Sequence, residues 1–262
     1  MIVMDRVLPL EGVHNFRDYG GYPVAGGGRL KRGLLWRSGQ HHGATDADLQ
    51  RIAALNLVAV YDLRTAQERT SHPCRRPPEF GAEVHFPPVP SKLLTPHVAA
   101  AATTKQRTAE STRESMRRNY GQIAFRPELI AMMRIYLAGL AAGKGATLIN
   151  CMAGKDRTGI AVAMLQLATG VHRDDIIEDY LLTNTAGDME ARVAAGAETI
   201  RAMGGTMDPE VVRVVMGVEP EYLESMFRTV EERHGSIDAY LEDQLGADAA
   251  LRESLRQALV QG

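Results

Sequence analysis

The stretch Thr147–Gly170 constrains this chain more than any other part of it. It reads as a short apolar strand, Thr147-Leu148-Ile149, then a loop of small and charged residues. Thr158–Thr169 follows as a nearly all-apolar helix closed by Gly170. A helix that is apolar on every side must be covered on every side. It therefore lies against a sheet and among other helices, which already points to a layered α/β architecture.

The flanking sequence extends that reading. Leu34-Leu35-Trp36, Leu57–Tyr61 and Glu83–Phe86 are strand candidates, and the second, a continuous apolar run, suits a buried parallel strand. Thr45-Asp46-Ala47-Asp48 signals a capped helix start, with Leu49, Ile52, Ala53 and Leu55 on one face. Helical pattern also begins at Pro127 and runs to Gly143. From Asp174 onward the chain reads as helical throughout, with Asp174–Leu182, Glu221–His234, Ser236–Leu245 and Asp248–Leu259 the clearest segments. Residues 90–122 differ, being rich in Ala, Thr, Arg and Lys with little apolar periodicity before Ser115. A connection that long is expected to be a lid or binding excursion. The expected fold is thus a mostly parallel sheet flanked by helices, one domain over residues 1–262, with a lid-like insertion at about 90–122 and a helical region over about 174–262.

Composition narrows the function classes. At 262 residues with 45% hydrophobic and 24% charged residues, the chain can bury a full core. A net charge of −2 gives no global pull toward nucleic acid or anionic membranes. No run of 18 apolar residues occurs, so no membrane span is expected. Met1–Glu11 has no apolar stretch long enough for a signal peptide, and the expected compartment is the cytoplasm, with signal-less secretion left open. Two cysteines, Cys74 and Cys151, lie far apart and form neither a disulfide framework nor a zinc pattern. The histidines, among them His41, His42, His85, His97 and His234, show no metal-ligand spacing. No metal and no cofactor are expected.

Chemistry concentrates in Asn150-Cys151-Met152-Ala153-Gly154-Lys155-Asp156-Arg157-Thr158-Gly159. A strand feeds this loop and the loop feeds a helix N-terminus, where unsatisfied amides and the helix dipole favour negative charge. A Cys151 thiolate in that field would fall from about 8.5 into the range ~3.5–7.5. Arg157 returns a guanidinium to the same point, its planar fork suited to two phosphate oxygens. Together these residues suit in-line phosphoryl transfer. Cys151 attacks phosphorus, while Arg157 and the amides of Met152, Ala153, Gly154 and Lys155 hold the equatorial oxygens. Thr158 is placed to hydrogen-bond the sulfur and help it leave. One carboxylic acid would protonate the leaving oxygen and later activate water. No aspartate occurs between Leu63 and Lys155, which leaves Asp156 in the loop and Asp62 at the end of the first buried strand.

The pattern Cys151…Arg157-Thr158-Gly159 resembles the signature of the protein tyrosine phosphatase superfamily. The fuller Ala153-Gly154-Lys155-Asp156-Arg157-Thr158-Gly159 resembles its bacterial atypical branch of tyrosine and lipid phosphatases, which mycobacteria and Listeria secrete. Further landmarks of that branch are Asn15-Phe16-Arg17-Asp18 with Gly20-Gly21-Tyr22, Arg37-Ser38, and Asp62-Leu63-Arg64 with Glu68. Asp179-Tyr180-Leu181-Leu182 and Glu221-Tyr222-Leu223 with Gly235-Ser236 continue the likeness to the C-terminal end. The resemblance implies a cysteine-dependent phosphatase acting on phosphorylated protein or phosphoinositide, with a helical lid at 90–122. It also implies that the loop aspartate, Asp156, is the proton donor. Asp62 then orients Lys155 or Arg157, or simply pairs with Arg64. Lys155 would grip a second anionic group, as in phosphatases that act on phosphoinositides. One departure stands out: Asn150 replaces the usual histidine before the cysteine, so a less acidic thiol is expected than in histidine-bearing relatives.

Two other functions are compatible with such a loop. A sulfurtransferase would carry a persulfide on Cys151, but it has no need of Asp156 beside the arginine. A silent phosphate-binding module would lack the cysteine or the arginine, and both are present.

Overall fold

In the computed structural model, residues 6–90, 108–187, 189–202 and 208–262 are described. A five-stranded sheet carries the molecule. In chain order its strands are β1 (Arg17–Asp18), β3 (Leu35–Ser38), β4 (Ala59–Asp62), β5 (Glu83–His85) and β6 (Thr147–Asn150). The spatial order is β1-β3-β6-β4-β5. β6 lies at the centre, parallel to both β3 and β4, and β5 continues parallel on the outer side of β4. Only β1, at the opposite edge, runs antiparallel. The expected mostly parallel α/β sheet is therefore present.

The two-residue period of the strands sorts side chains onto two faces. Val60 and Leu148 point to one side and pack with Phe16, Leu49 and Ile52. The last two belong to α1 (Asp46–Ala53), whose N-cap Thr45 forms a capping box with Asp48. Tyr61 and Ile149 point to the other side, into the larger core. There lie α4 (Pro127–Ala141) and α5 (Asp156–Thr169), the apolar helix singled out in the sequence. Ile160 through Leu165 are all at most 1% exposed. Gly170 closes α5 in the left-handed conformation. Burial of α5 on all sides is thus what its sequence demanded.

α2 (Ala66–Ser71) follows β4, and α3 (Ala109–Ile123) precedes α4. Of the stretch expected to form a lid, residues 91–107 lie outside the described part. The remainder, α3, packs firmly: Met116, Tyr120 and Ile123 are buried. The helical C-terminal region comprises α6 (Arg173–Leu181), α7 (Met189–Ala202), α8 (Pro209–Met216), α9 (Pro220–His234), α10 (Ile237–Asp243) and α11 (Ala249–Leu259). α9 lies along α3, and α11 along α4. A small antiparallel pair sets β2 (Arg29–Leu30) against β7 (Val260–Gln261). β2 and β7 went unnoticed in the sequence because two residues carry no readable alternation.

His41 shows how the loops beside the sheet are fixed. It is 1% exposed and shares a hydrogen bond with Ser38 Oγ at 2.9 Å. Burial first, and then the nearby Arg76 and Arg64, lower its pKa from 6.5 to about 3. The unfolded chain therefore binds a proton between those values that the folded chain refuses. Stability is fully present above about pH 6.5 and declines as the pH falls toward 3, by up to about 1.4 kcal/mol per pH unit. Denaturant titrations at several pH values should show this slope flattened in His41→Asn. An equal slope in both proteins would remove His41 as its cause.

Candidate active site

Cys151 follows directly on the central strand and is 2% exposed. The parallel strands β3, β4 and β6 all end at this level, where ligand sites form in open α/β sheets. Leu63 N donates to Asn150 O at 2.8 Å and so extends the β4–β6 ladder to the first residue of the loop. Beyond the loop, α5 opens at Lys155 with no side chain capping its first turn. The helices α1 and α2 are capped by Thr45 and Thr65 instead. An uncapped N-terminus above a buried cysteine leaves donors for an anion.

The loop is held from behind. Asn15 Nδ2 and Arg37 Nη2 donate to Gly154 O at 2.7 and 3.1 Å, and Gln40 N donates to Met152 O at 3.1 Å. Across a trans peptide the carbonyl and the following N–H point in opposite directions. Drawing the Met152 and Gly154 carbonyls backward therefore turns the amides of Ala153 and Lys155 forward. Gly154 sits at φ +66, and a Cβ there would lie 2.4 Å from the Ser38 carbonyl, so only glycine brings the loop this close to β3.

Behind those contacts lies a buried charge cluster. Asp179 of α6 takes Arg37 Nη1 at 2.7 Å and faces Arg17 Nε at 3.5 Å, all three residues being at most 1% exposed. Burial and the adjacent Arg37 push Arg17 down to about 9, against the pull of Asp179. Two cations against one anion leave net positive charge just beneath the loop.

Arg157 stands in the first turn of α5. Its Nη1 and Nη2 grip the two oxygens of Glu68 at 2.8 Å each, and Nη1 also donates to Leu63 O at 3.0 Å. Burial opposes its charge, but the Glu68 hydrogen bonds and the field of Cys151 outweigh that and raise its pKa. Burial would likewise raise Glu68, yet Arg157 and the Thr65 amide carry its carboxyl below the usual range. Glu68 thus closes the capping box of α2 and aims the arginine. The Thr65-x-x-Glu68 spacing was the available signal for the cap; nothing in sequence tied it to a residue 89 positions away.

The other expected site residues fall as follows. Asp156 Oδ1 accepts from Tyr120 Oη at 2.7 Å and lies 3.5 Å from Lys155 Nζ. Lys155 is 3% exposed, and its Nζ donates to the carbonyls of Val215 and Gly217 at the end of α8, 3.2 Å for the latter. Asp62 is fully buried and holds Arg64 in a fork, with contacts of 2.7 and 2.8 Å, and it takes Asn150 Nδ2 at 3.4 Å. Asn150 Oδ1 and Thr158 Oγ1 are buried with no protein partner among the described residues. The structure therefore brings Cys151, Asp156, Arg157 and Thr158 together around one loop. It sets Lys155 toward α8 and Asp62 toward Arg64.

A sheet of this topology, with a buried cysteine after the central strand and an arginine in the first turn of the next helix, defines the cysteine-dependent phosphatases. The sequence model of the tyrosine phosphatase family matches residues 8–261, and the chain belongs to that family. Among its relatives is a Cupriavidus necator protein that carries a tyrosine-protein phosphatase name, 32% identical over 93% of this chain and 85% of its own length. The triple specificity protein phosphatase PtpB of Mycobacterium tuberculosis is 31% identical over 90% of this chain and 93% of its own. The bacterial branch inferred from the loop and its flanking landmarks is thus the right one. Among the described residues no helix is long and apolar enough to cross a membrane.

Proposed function

We propose that the chain hydrolyses phosphorylated protein side chains through a phosphocysteine on Cys151. The observation that carries this assignment of roles is Arg157, half-buried at the mouth of an uncapped helix and aimed by the Glu68 fork. The Cys151 thiolate attacks phosphorus, the bond to the leaving oxygen breaks, and Asp156 gives that oxygen its proton. Water then attacks the phosphocysteine, returns a proton to Asp156, and releases the thiolate. Arg157 and the forward-turned amides hold the phosphoryl oxygens in both steps. Thr158 Oγ1 has a free hydrogen bond to offer the departing sulfur. Asp62 is a poorer candidate for the acid, because both its oxygens already take Arg64.

The PtpB relative is named a triple specificity phosphatase, which favours substrates beyond phosphotyrosine here too. Phosphoinositides would draw on Lys155 only if its ammonium left the α8 carbonyls. We therefore rank phosphopeptides first and phosphoinositides second. We also read the chain as one phosphatase domain, supported by the β2–β7 pair, which sets Arg29–Leu30 against Val260–Gln261. A reducing compartment such as the cytoplasm suits a free nucleophilic thiol.

The test uses a leaving-group series of phosphate esters, from nitrophenyl to alkyl, with phosphopeptides and phosphoinositides beside it. Asp156→Asn should lower kcat by about 100-fold or more on alkyl esters and far less on p-nitrophenyl phosphate, which leaves without a proton. The same pattern in Asp62→Asn, and not in Asp156→Asn, would transfer the role of acid to Asp62. Transfer of sulfur from thiosulfate to cyanide, without phosphatase activity, would favour the persulfide reading.

A further inference from the structure

We propose that Tyr120 and Tyr180 are positioning residues for catalysis: a buried two-tyrosine relay fixes the orientation of the Asp156 carboxyl and the oxygen that carries its proton. The proposal rests on Asp156 as the proton donor.

Three elements distant in sequence meet at this point. Tyr120 comes from α3, Tyr180 from α6, and Asp156 from the first turn of α5. Both tyrosines are buried, at 0% and 1% exposed. Tyr180 Oη donates to Tyr120 Oη at 2.7 Å, and Tyr120 Oη donates to Asp156 Oδ1 at 2.7 Å. An ionised carboxylate is an acceptor only. It therefore fixes the polarity of the whole chain, with Tyr120 pointing its hydrogen at Oδ1 and Tyr180 pointing its own at Tyr120. When Asp156 takes up a proton, Oδ1 is already occupied by a donor, so the proton belongs on Oδ2.

The site is built to keep this arrangement. Desolvation, with the nearby Asp156 charge, raises both phenols well above their ordinary range, so they stay donors. The Tyr120 ring packs at 5.6 Å from that of Tyr222 of α9 and at 6.1 Å from that of Tyr180. Gly159 lets the Tyr180 ring lie against α5, for a Cβ there would come within 3.0 Å of it. That gives the glycine after Thr158 a physical task. The relay also gives α3 one: the helix that follows residues 91–107 supplies a hydroxyl to the reaction centre.

Other charges face Asp156 as well: Lys155 at 3.5 Å, with Arg157 and Arg126 acting at longer range. All three are cations, and none supplies the directional hydroxyl contact that Tyr120 does.

The experiment compares Tyr120→Phe, Tyr180→Phe and Asp156→Asn singly and combined, in the full chain. Each kcat is measured across the leaving-group series and across pH. Tyr120→Phe should cost about 10-fold on alkyl esters and only about 2-fold on p-nitrophenyl phosphate, a fraction of the full general-acid effect. Removing a donor from the carboxylate favours the acid form, so the limb where activity falls with rising pH should move to higher pH. Tyr180→Phe should act in the same direction with smaller size. Added to Asp156→Asn, Tyr120→Phe should change the leaving-group dependence no further.

A loss equal across all leaving groups, with an unmoved limb, would overturn the proposal and leave Tyr120 a packing residue. So would a full further loss in the Asp156→Asn background. A flat leaving-group response of Asp156→Asn itself would instead fault the acid assignment, and the two failures are told apart by that single variant. If Tyr120→Phe unfolds, Tyr180→Phe decides by the same pH limb.

Discussion

Arg157→Ala should lower kcat on p-nitrophenyl phosphate by about 100–1000-fold, the loss typical of removing one electrostatic donor from a preorganised oxyanion site. The guanidinium is aimed before substrate arrives, since Glu68 holds both its terminal nitrogens and Leu63 O holds one of them. No reorganisation is then needed as charge spreads over the phosphoryl oxygens. Arg157→Lys is the informative companion. It restores the charge but not the fork, so it should recover stability against Glu68 and little of the rate. Glu68→Gln should fall between, because it weakens the aim and leaves the guanidinium in place. Steady-state kinetics with vanadate binding measure these effects. If Arg157→Ala keeps kcat within about threefold of the parent, another group stabilises the transition state and the proposed mechanism is wrong.

Asp179→Ala should destabilise the fold by about 3–5 kcal/mol, the cost of removing one member of a buried charge cluster. Arg17 and Arg37 would be left with no counter-ion, both fully buried. Arg17 is already pushed down to about 9 with the carboxylate present. For a chain of this size such a loss lowers Tm by roughly 6–20 °C. Activity should fall below the unfolding temperature as well, because Arg37 also holds the Gly154 carbonyl and so turns the loop amides forward. Asp179→Asn keeps the acceptor oxygen without the charge and should lose somewhat less. Calorimetry and chemical denaturation check the size, and a change below about 1 kcal/mol would mean that water or another anion neutralises the arginines.

The sequence alone determined the central frame. The all-apolar run Ile160–Leu165 reads as a buried helix, and the capping pattern at Thr45 marks where α1 begins. Cys151 falls just after a strand and Arg157 in the first turn of the next helix because their spacing is local, and local spacing is what periodicity records. The tertiary structure decided who faces whom. Glu68 on Arg157, Asp179 between Arg17 and Arg37, Tyr120 on Asp156, and Lys155 on the end of α8 are all contacts across long separations. A hydrophobic pattern says which face of an element is buried. It does not say which partner the rest of the chain brings to that face, and a charged or hydroxyl group buried there acquires its role only from that partner.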